Sequence, residues 1–192
     1  MRHLCLLALG GLMLAGGSPA FAADPAAGRQ VANMCRTCHG LDGYAQIPIA
    51  PHIGGEPLDY LEAQLTAFKD GTREHEMMSI VARGLSETQI ADVSAWYAAH
   101  EVTATLPEGV AAEDAPEDCV ACHGADGLSL VPDAPNLAGE VNIYIDTQLK
   151  AFRTGKRTHE IMTDIAADLT DAEIRAYADW YAAVTLEIAP AP

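Results

Sequence analysis

Basic side chains are scarce in this sequence: 11 Lys and Arg stand against 27 Asp and Glu in 192 residues, a formal charge of −16. That deficit disfavours nucleic acid or an anionic membrane face as partner and makes a basic protein surface the more plausible one. Long hydrophobic runs are also missing. The apolar stretch Leu4 to Ala15 is too short to cross a bilayer comfortably, so any membrane association is expected only through a partner complex. No segment sustains the alternation of a strand, which leaves an all-α architecture as the expectation. Length alone does not separate one domain from two.

What is present begins with an address. Arg2 and His3 precede the apolar stretch, and Gly16 to Ala22 ends in Ala20-Phe21-Ala22, a small-x-small cleavage site. Residues 1–22 are therefore expected to be a signal peptide, cleaved after Ala22, with a retained anchor as the alternative. The remaining chain would be periplasmic. Cys5 leaves with the signal peptide, in the wrong context for lipid attachment. An exported chain lives in an oxidising compartment, so its remaining cysteines call for a reason other than idle thiols.

The chain repeats itself once. Cys35 falls on Cys119, an offset of 84, and the match continues without a gap through Cys38 and Cys122, His39 and His123, Pro51 and Pro135, Gly55 and Gly139. It runs on through Tyr60 and Tyr144, Gln64 and Gln148, Phe68 and Phe152, Arg73 and Arg157, Met78 and Met162, and Trp96-Tyr97 and Trp180-Tyr181. Two long copies mean duplicated domains, not a solenoid. The expected division is 23–106 and 107–192, with 107–116 as an acidic, alanine-rich linker that also carries prolines. Domains of this size are small enough to need help from a buried cofactor.

Helix signals fill each copy. Asp24-Pro25 reads as an N-cap and first-turn proline. Leu58, Leu61, Leu65 and Phe68 keep helical spacing until Gly71. Ser86-x-x-Gln89 and Thr170-x-x-Glu173 are capping boxes opening the last helix of each copy.

The chemistry lies in Cys35-Arg36-Thr37-Cys38-His39 and Cys119-Val120-Ala121-Cys122-His123, both C-x-x-C-H, the attachment pattern of c-type haem. Cysteines three apart on a helical turn can each form a thioether with one vinyl group of a single porphyrin, and the next residue brings an imidazole to the iron. Two covalently bound haem c groups are expected, held by Cys35, Cys38, Cys119 and Cys122, with His39 and His123 as metal ligands. Three other readings remain: a four-cysteine zinc site, a thioredoxin-like redox pair and plain disulfides. They leave the histidines unused or require a βαβ pattern that is not there.

For the sixth ligand, Met78 has a match in Met162, whereas Met77 falls on Ile161, so Met78 and Met162 are the candidates. Met77 is expected to pack in the core. The matched His75 and His159 offer bis-histidine ligation as an alternative, or partly exposed side chains that tune local charge. His52 and His100 have no match and are expected on the surface or in loops. Pro51 and Pro135 follow the haem histidines by the same interval, and either lend a carbonyl to the imidazole or are ordinary loop prolines. Arg73 and Arg157 pair with haem propionates or are solvated.

Together, C-x-x-C-H-G-x-D-G, P-x-I/L-x-G, Tyr-x-x-x-Gln-Leu-x-x-Phe, G-x-R-x-x-x-x-M and a late Trp-Tyr resemble class I cytochromes c, and the two-copy layout resembles the dihaem cytochrome c4 family. The resemblance covers almost all of residues 24–184. It implies two tandem class I domains, first and last helices crossing beside the haem in each, and carbonyls from Pro51 and Pro135 to His39 and His123. It further implies electron transfer, without a catalytic residue, between a donor dehydrogenase or respiratory complex and a terminal acceptor. The chain is also similar to the dihaem subunit of sulfide-oxidising flavocytochromes, which offers a docked-subunit alternative. Any flavin would sit on another subunit, since no flavin-binding fingerprint occurs here.

Overall fold

The computed structural model of the protein describes residues 22–191, so the predicted signal segment and Cys5 lie outside the described residues, Ala22 excepted. The first half contains α1 (Pro25–Ala32), α2 (Arg36–His39), α3 (Leu58–Asp70), α4 (Met78–Arg83) and α5 (Glu87–Ala98), followed by strand β1 (Val102–Thr105). The second half contains α6 (Glu117–His123), α7 (Asn142–Arg153), α8 (Glu160–Asp168) and α9 (Asp171–Ala182), followed by β2 (Thr185–Ile188). The architecture is mostly helical, as the caps and spacing predict.

Local chemistry sets the helix ends. Asp24 Oδ1 accepts from Ala26 N and Ala27 N at 2.9 and 3.3 Å, and Pro25 occupies the first turn, where its missing N–H costs nothing. Both capping boxes close, with Ser86 and Gln89 bonding each other's backbone, and Thr170 and Glu173 doing the same. Each such cap is worth about 1 kcal/mol.

α5 is the spine of the first half, packed on α1 and α3. Ala32, Leu61, Val93, Trp96 and Tyr97 form its buried core. α1 comes so close to α5 that a Cβ on Gly28 would lie 1.9 Å from the Asp92 carbonyl oxygen. Asp92 also binds this helix by its side chain, accepting from Asp24 N at 2.8 Å. In the second half α7 packs on α8 and α9 around Ile145, Ala178 and Tyr181.

Two expectations are corrected here. Crossing first and last helices occur in the first half, but the span matching α1 holds only a 3-10 turn at Ala112–Asp114. Pro116 stands where the first half has Ala32, and a proline lacks the N–H that would carry a helix through, so α6 starts afresh after it. The second correction is a small sheet: β1 and β2 pair antiparallel, with Val102 opposite Ile188 and Thr105 opposite Thr185. Each strand alternates half-buried and exposed residues, but over only four positions.

The ribbon joins the ends of the two halves and lies on their loops. A Cβ on Gly55 would meet Val102 Cγ1 at 2.2 Å, and one on Gly139 would meet Leu186 Cβ at 2.7 Å. The matched glycines therefore let the ribbon sit directly on the chain that follows each proline.

Candidate haem-binding sites

Each C-x-x-C-H element closes a short helix. Cys38 and His39 lie in α2, with Cys35 just before it, while Cys119, Cys122 and His123 share α6. An i, i+3 spacing turns both thiols of a pair to one helix face. All four cysteines are half-buried and free of disulfides. Burial pushes the Cys35 thiol up to about 11 and the Cys119 thiol up to about 12. A thioredoxin-like pair also calls for a βαβ setting, and among the described residues the only strands form one antiparallel two-stranded ribbon. Among the described residues no cluster of three or more His, Cys, Asp or Glu side chains is placed to hold a metal ion, which removes the four-cysteine zinc site.

His39 and His123 are buried. His39 Nδ1 donates to Pro51 O at 2.9 Å and His123 Nδ1 donates to Pro135 O at 2.8 Å. A carbonyl can only accept, so the proton sits on Nδ1 and the Nε2 lone pair is left free. Burial holds both imidazoles below their ordinary range, against the opposing pull of the proline carbonyl. Each turn thus presents two neighbouring thiols and a neutral, oriented imidazole with an open nitrogen. That donor set fits a haem c attached through two thioethers and ligated at Nε2.

The last helix of each half clamps this turn. Tyr97 Oη donates to Gly40 O at 3.2 Å and Trp96 Nε1 to Leu41 O at 3.0 Å. Tyr181 Oη donates to Gly124 O at 3.1 Å and Trp180 Nε1 to Ala125 O at 3.1 Å. The Trp-Tyr pair seen in the sequence therefore serves the residues immediately after His39 and His123.

Met78 is the first residue of α4 and Met162 lies in the first turn of α8, both half-buried. Met77 is 60 % exposed, which overturns its expected place in the core. It is the residue immediately before α4. His75 and His159 are exposed, and each caps a helix: His75 Nδ1 accepts from Met77 N and Met78 N at 3.3 and 3.4 Å. His159 Nδ1 accepts from Ile161 N and Met162 N at 3.2 and 3.3 Å.

The seam between the halves holds what the sequence hid. Arg73 is buried, with NH1 donating to Gln64 Oε1 at 2.7 Å and NH2 to Tyr144 Oη at 3.1 Å and Gln148 Oε1 at 2.8 Å. Arg157 mirrors it through Gln148 Oε1, Tyr60 Oη and Gln64 Oε1. Both guanidiniums also lie 4.5 Å from a phenylalanine ring of their own half, Phe68 and Phe152. The solvated reading of these arginines is thereby corrected.

His52 and His100 are buried, not superficial. His100 Nδ1 donates to Ala189 O at 2.8 Å, and its ring stands edge-on to Trp96. His52 Nδ1 accepts from Ala45 N while Nε2 donates to Gly139 O across the seam. Two carboxylates that the sequence reading passed over, Glu56 and Glu140, are 5 % and 3 % exposed. Glu140 Oε2 accepts from His52 N at 3.0 Å, and Glu56 Oε2 accepts from Asn136 N at 2.8 Å. The one available signal was that Glu56 and Glu140 occupy matched positions in the repeat.

The profile of the cytochrome c family matches residues 111–182. The chain is 32 % identical to the thiosulfate dehydrogenase electron acceptor of Thiomonas intermedia, over 96 % of this chain and 92 % of that one. It is 32 % identical to the cytochrome c4 of Pseudomonas aeruginosa, over 92 % of this chain and 94 % of that one. Reduced recombinant cytochrome c4 from Pseudomonas stutzeri superposes with a TM-score of 0.74 at 26 % identity, covering 85 % of this chain and all of that one.

Proposed function

Because the chain belongs to the cytochrome c family, among its dihaem c4-type members, and carries two covalent haem c groups for electron transfer, we propose that His39 with Met78 and His123 with Met162 ligate the two irons. The observation that carries this reading is the paired geometry: on each C-x-x-C-H turn a buried imidazole donates Nδ1–H to a proline carbonyl and keeps Nε2 free. Cys35 and Cys38 hold the first haem, and Cys119 and Cys122 the second. Pro51 and Pro135 fix the ring planes. Met78 is favoured over Met77 by its half-buried place in the helix and its match in Met162. His75 and His159 have their Nδ1 atoms engaged as helix caps, which argues against bis-histidine ligation.

When bound, the haem iron supplies the one-electron couple. The protein's part is to hold the ligands still, keep water from them and fix the two halves against each other, so that little reorganises when charge arrives or leaves. Arg73 and Arg157 are cations whose protein acceptors are neutral oxygens, an arrangement suited to anionic haem propionates.

The chain is exported, and the segment 1–22 is removed after Ala22. No helix among the described residues is long and apolar enough to cross a membrane. Membrane contact, in this reading, comes through a partner complex. The division at 106/107, with 107–116 as linker, gives one haem per domain. Electrons enter from a donor dehydrogenase or respiratory complex at one haem and leave from the other to a terminal acceptor. The acidic surface suits redox partners with a basic docking face. A docked-subunit reading is favoured by one observation, the likeness to a protein named as a dehydrogenase's electron acceptor.

Mass and visible spectra of the holoprotein and of its M78A, M162A and M77A variants test the ligand set. Two haem additions are expected, with one methionine–iron band lost in each of the first two variants and none in M77A. Loss of that band in M77A instead would overturn the assignment. Co-purification with a stoichiometric dehydrogenase would turn the free carrier into a docked subunit.

A further inference from the structure

The proline carbonyl that receives each haem histidine belongs to a peptide group whose other end is also bonded. His39 Nδ1 donates to Pro51 O at 2.9 Å, and the N–H of the same peptide, on His52, donates to Glu140 Oε2 at 3.0 Å. His123 Nδ1 donates to Pro135 O at 2.8 Å, and the N–H on Asn136 donates to Glu56 Oε2 at 2.8 Å. Each carboxylate comes from the half opposite to the histidine it faces. The side chains at 52 and 136 differ, yet the bond is the same, because only their backbone takes part.

We propose that each half tunes the haem ligand of the other: Glu140 acts on His39 through the Pro51–His52 peptide, and Glu56 acts on His123 through the Pro135–Asn136 peptide. The reading that His39 and His123 ligate iron underlies this. A peptide group is one delocalised unit, so negative charge at its N–H raises electron density on its carbonyl oxygen. That strengthens the bond from Nδ1–H and makes Nε2 a more basic ligand. A more basic ligand favours the oxidised iron, so a charged Glu140 lowers the midpoint potential of the first haem.

Both carboxylates are built to change charge. Burial pushes Glu140 up to about 8 and Glu56 well above the usual carboxylate range, opposed by the backbone N–H bonds. Glu140 accepts N–H bonds on both oxygens, from His52 and from Val141 at 2.6 Å, an arrangement made for the ionised form. Around it stand Glu56 and the imidazole of His52, which is neutral because Nδ1 accepts from Ala45 N and Nε2 donates to Gly139 O. Glu56 feels the charge of Glu140 and stands near Tyr60, whose hydroxyl accepts from Arg157 NH2 at 3.3 Å and which also feels the Arg73 guanidinium.

The test compares the intact holoprotein with E140Q, whose amide keeps an acceptor oxygen but no charge. Midpoints of the two haems are resolved by NMR during a redox titration at pH 9. A rise at the first haem larger than that at the second supports the cross-wiring. No shift, or a larger shift at the second haem, overturns it. In the unmutated reduced protein, the His52 amide proton and the His39 Nδ1 proton should move together with a midpoint near 8, and independent titrations overturn the proposal even where the variant fails to fold. Ring protons of His39 without a paramagnetic shift in the oxidised protein would instead break the ligand reading on which it rests.

Discussion

The two halves agree at the haem turn and part company at their outer helix. Around His39 and His123 the same bonds recur within about 0.1 Å: proline carbonyl to imidazole, tyrosine hydroxyl to the following glycine, indole to the next residue. At the periphery, Gly28 and Asp92 bind α1 to α5 in the first half, whereas Ala112 and Ala176 occupy the matching positions and no such helix forms in the second. The cofactor turn has one geometry that works. The outer helix only adds cover, and its loss leaves a smaller core in which Trp180 is half-buried while Trp96 is buried.

The contrast breaks first at Gly28. G28V forces α1 off α5 and should cost about 3 kcal/mol, whereas A112V, on an exposed turn, should stay within about 0.5 kcal/mol, both read by denaturant unfolding of the holoprotein. Equal losses would mean that the second half has a hidden counterpart to α1.

Next come the seam carboxylates, which test whether the halves respond to pH alike. A carboxyl whose folded pKa is raised binds a proton that the unfolded chain has already released, so its stabilising effect is full below about 4.5 and is lost as pH rises through the folded pKa, towards 8 for Glu140. Thermal unfolding between pH 4.5 and 9 should therefore show a declining stability limb. E56Q and E140Q should each flatten it, and a limb left unchanged in either variant would remove that carboxyl as its cause.

The smallest effect sharpens the agreement. Y97F and Y181F each remove the hydroxyl donor from the carbonyl of Gly40 or Gly124, the latter keeping a long bond from Gly127 N at 3.4 Å, and should each cost about 1 kcal/mol, equal within error, in unfolding experiments. A clearly larger cost in either half would show that the clamps are not equivalent.

Much of this architecture is legible in the sequence because its causes are local. The C-x-x-C-H turns, the Asp24-Pro25 start, both capping boxes and the stop at Gly71 each depend on residues a few positions apart. What stays hidden depends on the other half. β1 and β2 are four residues each and find their partners across nearly half of the chain, so 102–105 reads only as the tail of the first domain. His52, His100, Glu56, Glu140 and the two arginines look like ordinary polar residues until a second domain covers them. Pro116 is visible, but its effect on a helix is apparent only beside Ala32.

The ribbon sets an order of events along the chain. β1 follows the last helix of the first half, yet its partner β2 is made only after α9, so the clasp cannot shut until the entire second half has been synthesised. Until then Gly55 and the loop after Pro51 lack their cover, and the first C-x-x-C-H turn belongs to an open half. Attachment chemistry at Cys35 and Cys38 thus has a window of access before the two halves lock.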